Sequence, residues 1–188
     1  MRKLTYYVAT SIDGYIAGPN GEYDFYPVAD DLATWINTRM PETVPTQLRA
    51  QAGIDAPNQR FDTVIMGRGT YELGLPAGVT SPYAHMKQYV ISSTIKSVDE
   101  PAVELVADDP LGLVRRLKQE DGLDIWLCGG GNVAAQLLPE IDELIVKCYP
   151  VVAGAGIPAF HGGFRPTTFT LTGAETFSSG ILLTTYTR

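Results

Sequence analysis

Three short stretches put chemistry-bearing residues directly after an apolar run. Asp124–Leu138 reads DIWLCGGGNVAAQLL: Ile125, Trp126 and Leu127 meet Gly129, Gly130 and Gly131, and Asn132 opens a helix-like segment ending at Leu138. A strand, a turn without side chains and a helix start would aim backbone N–H groups and a positive dipole end at one point, which suits a phosphate. Glycine also lets a ligand reach the backbone. Alone, the pattern fits a plain tight turn in an α/β domain equally well.

A second junction follows TVIM: Gly67-Arg68-Gly69-Thr70-Tyr71-Glu72. Gly67 clears the turn, Thr70 offers a hydroxyl and a first-turn N–H, and Arg68 adds a permanent forked cation suited to phosphate. An exposed arginine at a helix start is the ordinary alternative. A third run, YVIS, ends in Ser92-Ser93-Thr94, whose hydroxyls either cap the next element or bind a ligand; on its own, capping is the better reading. Two aspartate stretches read first as local structure: Asp13, in Ser11-Ile12-Asp13-Gly14, as a turn former before glycine, and Asp30 or Asp31, in Ala29-Asp30-Asp31-Leu32-Ala33, as a helix N-cap or first-turn residue.

The elements that must position these residues are legible from periodicity. Leu4–Thr10 (LTYYVAT) is rich in β-branched and aromatic residues without alternation, as in a central strand covered on both faces. Ser11–Tyr26 is a long ordered loop of a length often functional after a central strand. Ala29–Met40 carries Leu32, Trp35, Ile36 and Met40 at helical spacing. Pro41–Arg60 is a Pro-punctuated insertion of little chemical content, with one short helix near Thr46–Ala52. Strands are expected at Thr63–Met66, Tyr89–Ser92, Ala102–Val106 and Glu143–Tyr149, with an amphipathic helix at Pro110–Gln119 and a glycine-rich loop at Val151–Phe160. Thr167–Thr176 and Ile181–Thr187, joined by Ser178-Ser179-Gly180, form an antiparallel ending. This order predicts a three-layer α/β domain with a mostly parallel sheet closed by antiparallel strands. Ligands of such sheets sit at the carboxyl ends of the strands, and the long first loop, Gly67–Thr70, Ser92–Thr94 and Gly129–Asn132 all fall on that edge.

The chain of 188 residues suits one domain, able to bury roughly 70% of its unfolded surface without disulfides. Cys128 and Cys148 read as buried free thiols, and His85 and His161 stand apart, so no metal site is expected. A net charge of −7 disfavours nucleic-acid binding, which runs on Lys and Arg. No run approaches the ~20 apolar residues of a membrane span, and the N-terminus lacks a signal peptide's apolar core; a cytoplasmic protein is expected.

Taken together, strand–GRxTxE at Gly67–Glu72, strand–SS at Ser92-Ser93 and strand–GGG–helix at Gly129–Gly131 resemble the dihydrofolate reductase-like superfamily, in that order. Val8–Gly18 (VATSIDGYIAG) occupies the place of its first strand and of the mobile loop covering the nicotinamide. SIDG and the Gly-x-Gly-x-Pro of Gly154–Pro158 are closest to the reductase domain of bacterial riboflavin-biosynthesis deaminase–reductases; the deaminase half is absent. The resemblance covers nearly the whole chain. It implies an NADPH-dependent reductase in which Ala9 and Ile16 border the nicotinamide, Gly67, Arg68 and Thr70 hold phosphates, and Arg68 lies near the adenosine 2′-phosphate. Ser92 and Ser93 would line the adenosine-phosphate end, and Gly129, Gly130, Gly131 and Asn132 would cradle the pyrophosphate. Asp31, with Asp30 as its rival, falls close to the place of the buried carboxylate that grips the pterin and helps its protonation in true dihydrofolate reductases, and Asp13 would lie beside the nicotinamide and orient substrate hydroxyls; these two are the implied catalytic residues. Relatives on this branch pair, so a homodimer is expected.

The substrate is then a small heterocycle, pterin-like or pyrimidine-like, as for 5-amino-6-(5-phosphoribosylamino)uracil reductase. A phosphorylated one needs further cations; Lys3, Lys147 and Arg165 are available and none is compelling. A nucleotide-binding module without turnover and a genuine dihydrofolate reductase are the competing readings.

Overall fold

The computed structural model describes all 188 residues. In chain order its strands are β1 (Leu4–Thr10), β2 (Tyr15–Ala17), β3 (Phe61–Gly67), β4 (Lys87–Ile91), β5 (Val103–Val106), β6 (Asp124–Gly129), β7 (Glu143–Cys148), β8 (Ile157–Pro158), β9 (Thr170–Thr176) and β10 (Leu182–Thr187). The helices are α1 (Asp30–Arg39), α2 (Thr46–Arg49), α3 (Arg68–Glu72), α4 (Pro110–Gln119) and α5 (Gly131–Leu137). Eight strands form one sheet in the order β5-β4-β3-β6-β1-β7-β10-β9. The first six run parallel; β10 is antiparallel to both β7 and β9. No helix is long and apolar enough to cross a membrane.

β1 lacks alternation because both its faces are covered, as expected. Leu4, Tyr6 and Val8 pack with Leu113, Val114 and Leu117 of α4 and Val133, Ala134 and Leu137 of α5. Tyr7 faces the other way, into a second core with Leu32 of α1, Met40, Val64, Trp126 and Ile145. Each fully buried side chain of this size contributes about 1.5–3 kcal/mol, and the two cores fix the sheet between two helical layers.

Two segments read as loops turn out to be paired. Tyr15–Ala17 within Ser11–Tyr26 and Ile157–Pro158 within Val151–Phe160 form a short antiparallel ribbon. Pieces of two or three residues carry no detectable period, and their partners lie far away in sequence. The ribbon packs backbone to backbone: a Cβ on Gly156 would strike the Ala17 carbonyl oxygen, and one on Gly131 the Pro158 carbonyl oxygen. Helix α1 begins with Ala29 at its N-cap and no capping side chain, so neither Asp30 nor Asp31 caps it.

The insertion is more firmly built than its composition suggests. Glu42 is fully buried and its carboxylate accepts from the backbone N–H groups of Gln59, Arg60 and Phe61. That clamps the segment to the start of β3 and leaves Thr43, Val44 and Pro45 as one wall of the cleft described next. Both cysteines are free and only partly buried.

Candidate functional site

The carboxyl ends of β4, β3, β6, β1 and β7 lie along one edge of the sheet. Four inter-strand steps of ~4.8 Å make that edge roughly 19 Å long. A cleft of about 1030 Å³ runs there, at the top of the range for small-molecule sites. Ala9, Ile16, Gly67, Arg68, Thr70, Ser92, Ser93, Gly129, Gly130, Gly131 and Asn132 all line it. Residues read from separate motifs thus share one hollow.

Their proximity follows from the missing side chains. A Cβ on Gly67 would lie 2.9 Å from Val133 Cγ2 and 3.3 Å from Gly130 N, so only glycine lets the two junctions touch. A Cβ on Gly130 would meet nothing closer than Ile16 Cδ1 and Thr70 Oγ1, both at 3.8 Å. Ile16 of the loop, Thr70 of α3 and the glycine run therefore meet around one cradle, at the distance a methyl group would just fill. Gly129 has φ +136°, strained for any side chain, and the Gly129–Gly130 peptide is cis. Neither α3 nor α5 receives a side-chain cap, so their first-turn N–H groups have no side-chain acceptor. This end of the cleft suits an anion.

Arg68 reaches across it. Its Nε pairs with Glu72 Oε1 at 2.8 Å and its Nη1 donates to Thr94 Oγ1 at 3.2 Å, with the side chain half exposed. Ser92 Oγ accepts from the backbone N–H groups of Thr94 and Ile95, so it does cap the following turn. Ser93 is exposed on the rim.

The β6–β1–β7 end is different. Tyr7, Tyr83 and Trp126 form an aromatic chamber: the Tyr83 and Trp126 ring centroids are 4.9 Å apart, those of Tyr7 and Trp126 6.1 Å. Lys147 Nζ sits 3.8 Å from the Tyr7 ring centroid. Lys147 keeps part of its surface open to the cleft, yet protein crowds it closely enough to bring its pKa down to about 8. It has no ion pair; the Cys128 thiol nearby is itself pushed up to about 11 by burial. Tyr26, from the long loop, donates to the Tyr15 carbonyl at 2.8 Å and packs on Tyr149 beside this chamber.

Neither expected acid is here. Asp31 accepts from Ser178 Oγ at 2.8 Å and Ser179 N at 2.9 Å, tying α1 to the β9–β10 turn. Asp13 accepts from Ala153 N at 3.0 Å and Gly154 N at 2.8 Å, holding the loop after β7. Hydrogen bonding brings both carboxyls down to about 2, from the Ser11 hydroxyl first and then the Ala153 and Gly154 N–H groups at Asp13, and from the Ser179 N–H and Ser178 hydroxyl at Asp31. Neither lines the cleft, and no other Asp or Glu does. The geometry gives them fastening roles because each is a loop or first-turn aspartate with backbone N–H groups in reach. Lys3 and Arg165 are also outside it, whereas Lys147 is inside. Composition gave no sign of the aromatic chamber; the one available signal was a lysine inside the apolar run ELIVKC.

The family described as RibD C-terminal domain matches residues 2–183. Uncharacterized protein YwjB of Bacillus subtilis (strain 168) is 32% identical over 184 residues, covering 97% of this chain and 96% of that protein. Uncharacterized protein YyaP of the same organism is 28% identical over 198 residues, covering 98% and 94%. Among solved structures, a putative riboflavin biosynthesis protein from Shewanella sp. PV-4 superposes with a TM-score of 0.71 at 26% identity, covering 100% of this chain and 99% of that one. A diaminohydroxyphosphoribosylaminopyrimidine deaminase/5-amino-6-(5-phosphoribosylamino)uracil reductase from Thermotoga maritima gives a TM-score of 0.64 at 16% identity, covering 99% of this chain and 56% of that one. At that identity the likeness is one of fold.

Proposed function

The chain belongs to the RibD C-terminal domain family, and from that premise we propose that it is an NADPH-dependent reductase of a small heterocyclic substrate, pterin-like or pyrimidine-like. The observation that carries this reading is the convergence of Arg68, Thr70, Ser93 and Gly129–Asn132 on one cleft with uncapped helix starts behind them. With no side chain at Gly130, its backbone is bare toward the cleft between Ile16 and Thr70, which suits a pyrophosphate. Arg68 and the Ser92-Ser93 rim would hold the adenosine end and its 2′-phosphate; Ala9 and Ile16 would border the nicotinamide. NADPH bound there supplies hydride, the chemistry of the cofactor itself. The protein's part is to hold, orient and keep dry: Ile16 of the ribbon and Tyr26 line the cleft, and the aromatic chamber offers a flat ring a place. Since no carboxylate lines the cleft, the reading favours a reductase other than one gripping its substrate through an Asp or Glu. The small-molecule partner apart, pairing into a homodimer belongs to the same reading: β9 is an edge strand and Leu171 on it is half exposed.

The test is equilibrium binding of NADPH, NADP, NADH and flavin to the purified protein. Tight NADPH and NADP binding with weaker NADH binding is expected; no binding of either phosphorylated form overturns the reading.

A further inference from the structure

The chamber at the β6–β1–β7 end holds a cation that makes no ion pair with the protein. Tyr7 beneath it is almost fully buried, its hydroxyl enclosed by protein beside Thr43 while its ring lines the cleft. Lys147 stands on the adjacent strand, paired in register with Ala9 of β1 and Leu183 of β10, both apolar. Its ammonium rests on the Tyr7 ring and meets no carboxylate. The titratable groups around it are the Tyr7 and Tyr83 phenols and the Cys128 thiol, and burial pushes all three up, so none is an anion at neutral pH. A cation held among neutral aromatic groups is costly unless something outside the chain neutralises it.

We propose that Lys147 Nζ is the polar anchor of the substrate end, and that the substrate is a planar ring presenting an anionic or carbonyl oxygen to it. This deepens the reductase reading and rests on it for the cofactor in the other end of the cleft. The rings of Tyr7, Tyr83 and Trp126 select for flatness, with Val44 and Pro45 closing the wall from the insertion. The charge selects the edge of the ring. The ammonium only donates, and an anionic or carbonyl oxygen accepts from it with charge-assisted strength. A ring whose edge carries an amidine brings N–H donors against the ammonium and finds no carboxylate to receive them. Lys147 is thus a specificity-determining residue for oxo-rings over amino-amidine rings.

The experiment uses three flat probes of similar size, 4-nitrophenolate, neutral 4-nitroanisole and benzamidinium, titrated with and without saturating NADP. The wild type is expected to bind 4-nitrophenolate about 10- to 100-fold more tightly than the other two, the range of one charge-assisted hydrogen bond. Lys147→Met is expected to abolish the preference while keeping its NADP affinity, and Lys147→Arg to retain part of it. Equal binding of the three probes by the wild type, or a preference that survives in Lys147→Met, overturns the proposal. A second readout needs no variant. In competitive labelling with acetic anhydride, Lys147 should titrate below the surface lysines and be protected by 4-nitrophenolate; labelling indistinguishable from Lys87 and Lys96, or no protection, counts against it. A protein that binds NADP but shows no probe preference refutes the anchor alone; one that prefers the oxyanion but binds no NADP refutes the reductase reading instead.

Discussion

Arg68 Nη1 donates to Thr94 Oγ1 at 3.2 Å, joining the first residue of α3 to the turn that follows β4. The bond sets the guanidinium at the mouth of the cleft beside Ser92 and Ser93. Arg68→Ala should therefore weaken NADPH binding by about 10- to 100-fold, as expected for losing a charge-assisted contact. NADH, which lacks the 2′-phosphate, should change by less than about threefold. Isothermal titration of both cofactors checks this, and a parallel loss for both would remove Arg68 from the phosphate.

Neighbouring glycines should behave differently. At Gly130 the nearest atoms to an added Cβ are at 3.8 Å, so Gly130→Ala should fold normally and lose cofactor affinity by filling the cradle. At Gly131 the added Cβ strikes the Pro158 carbonyl oxygen, so Gly131→Ala should lower the melting temperature by displacing the β2–β8 ribbon. Thermal melts paired with NADPH titration separate the two outcomes.

Asp31 should affect stability rather than turnover. Its carboxyl is held down to about 2 by the backbone N–H of Ser179 and the hydroxyl of Ser178. The folded state therefore favours the carboxylate: the stabilisation is complete above the unfolded value near 4 and lost as pH falls toward 2. Asp31→Ala should melt below the wild type at pH 7, with the gap closing between pH 4 and pH 2, and its NADPH affinity should stay unchanged. A variant that keeps its melting temperature but loses activity would return Asp31 to a chemical role.

Lys147 should show the opposite sign. Burial lowers its pKa from 10.5 to about 8. The unfolded chain then binds more protons between those values, so this residue's cost is greatest below pH 8 and fades as pH rises toward 10.5. At 1.36 kcal/mol per unit that cost is about 2–4 kcal/mol, with the lower end favoured by the part of the side chain open to the cleft. Lys147→Met is expected to unfold at higher denaturant concentration than the wild type at pH 7, with the difference shrinking at pH 9.5. No stabilisation at pH 7 would mean that the ammonium is already well solvated or paired.

The exposed edge of β9 predicts pairing. β9 bonds only to β10 within the sheet, and Leu171 and Leu182 are exposed at 54% and 39%. Light scattering should give twice the mass of 20.4 kDa, and Leu171→Glu should shift the protein toward the monomer.

The cofactor end was legible in the sequence because its determinants are local. A run of Gly129, Gly130 and Gly131 after a buried strand needs only its own neighbours to become a turn and a helix start, and the same holds for Gly67–Thr70. Parallel strands then carry such turns to one edge, so the order of elements already implied that they meet. The fold followed for the same reason: β1 reads as central because both faces are apolar. The roles of Asp13, Asp31, Tyr7 and Lys147 were different. Their partners are 140 and 147 residues away for the two aspartates, and Lys147 reaches the Tyr7 ring diagonally across the β1–β7 pair, from a position opposite Ala9. A side chain's local sequence states what it can donate or accept; only the packed sheet decides what stands within reach, and here it drew the carboxylates out to fasten loops and left a cation in the cleft.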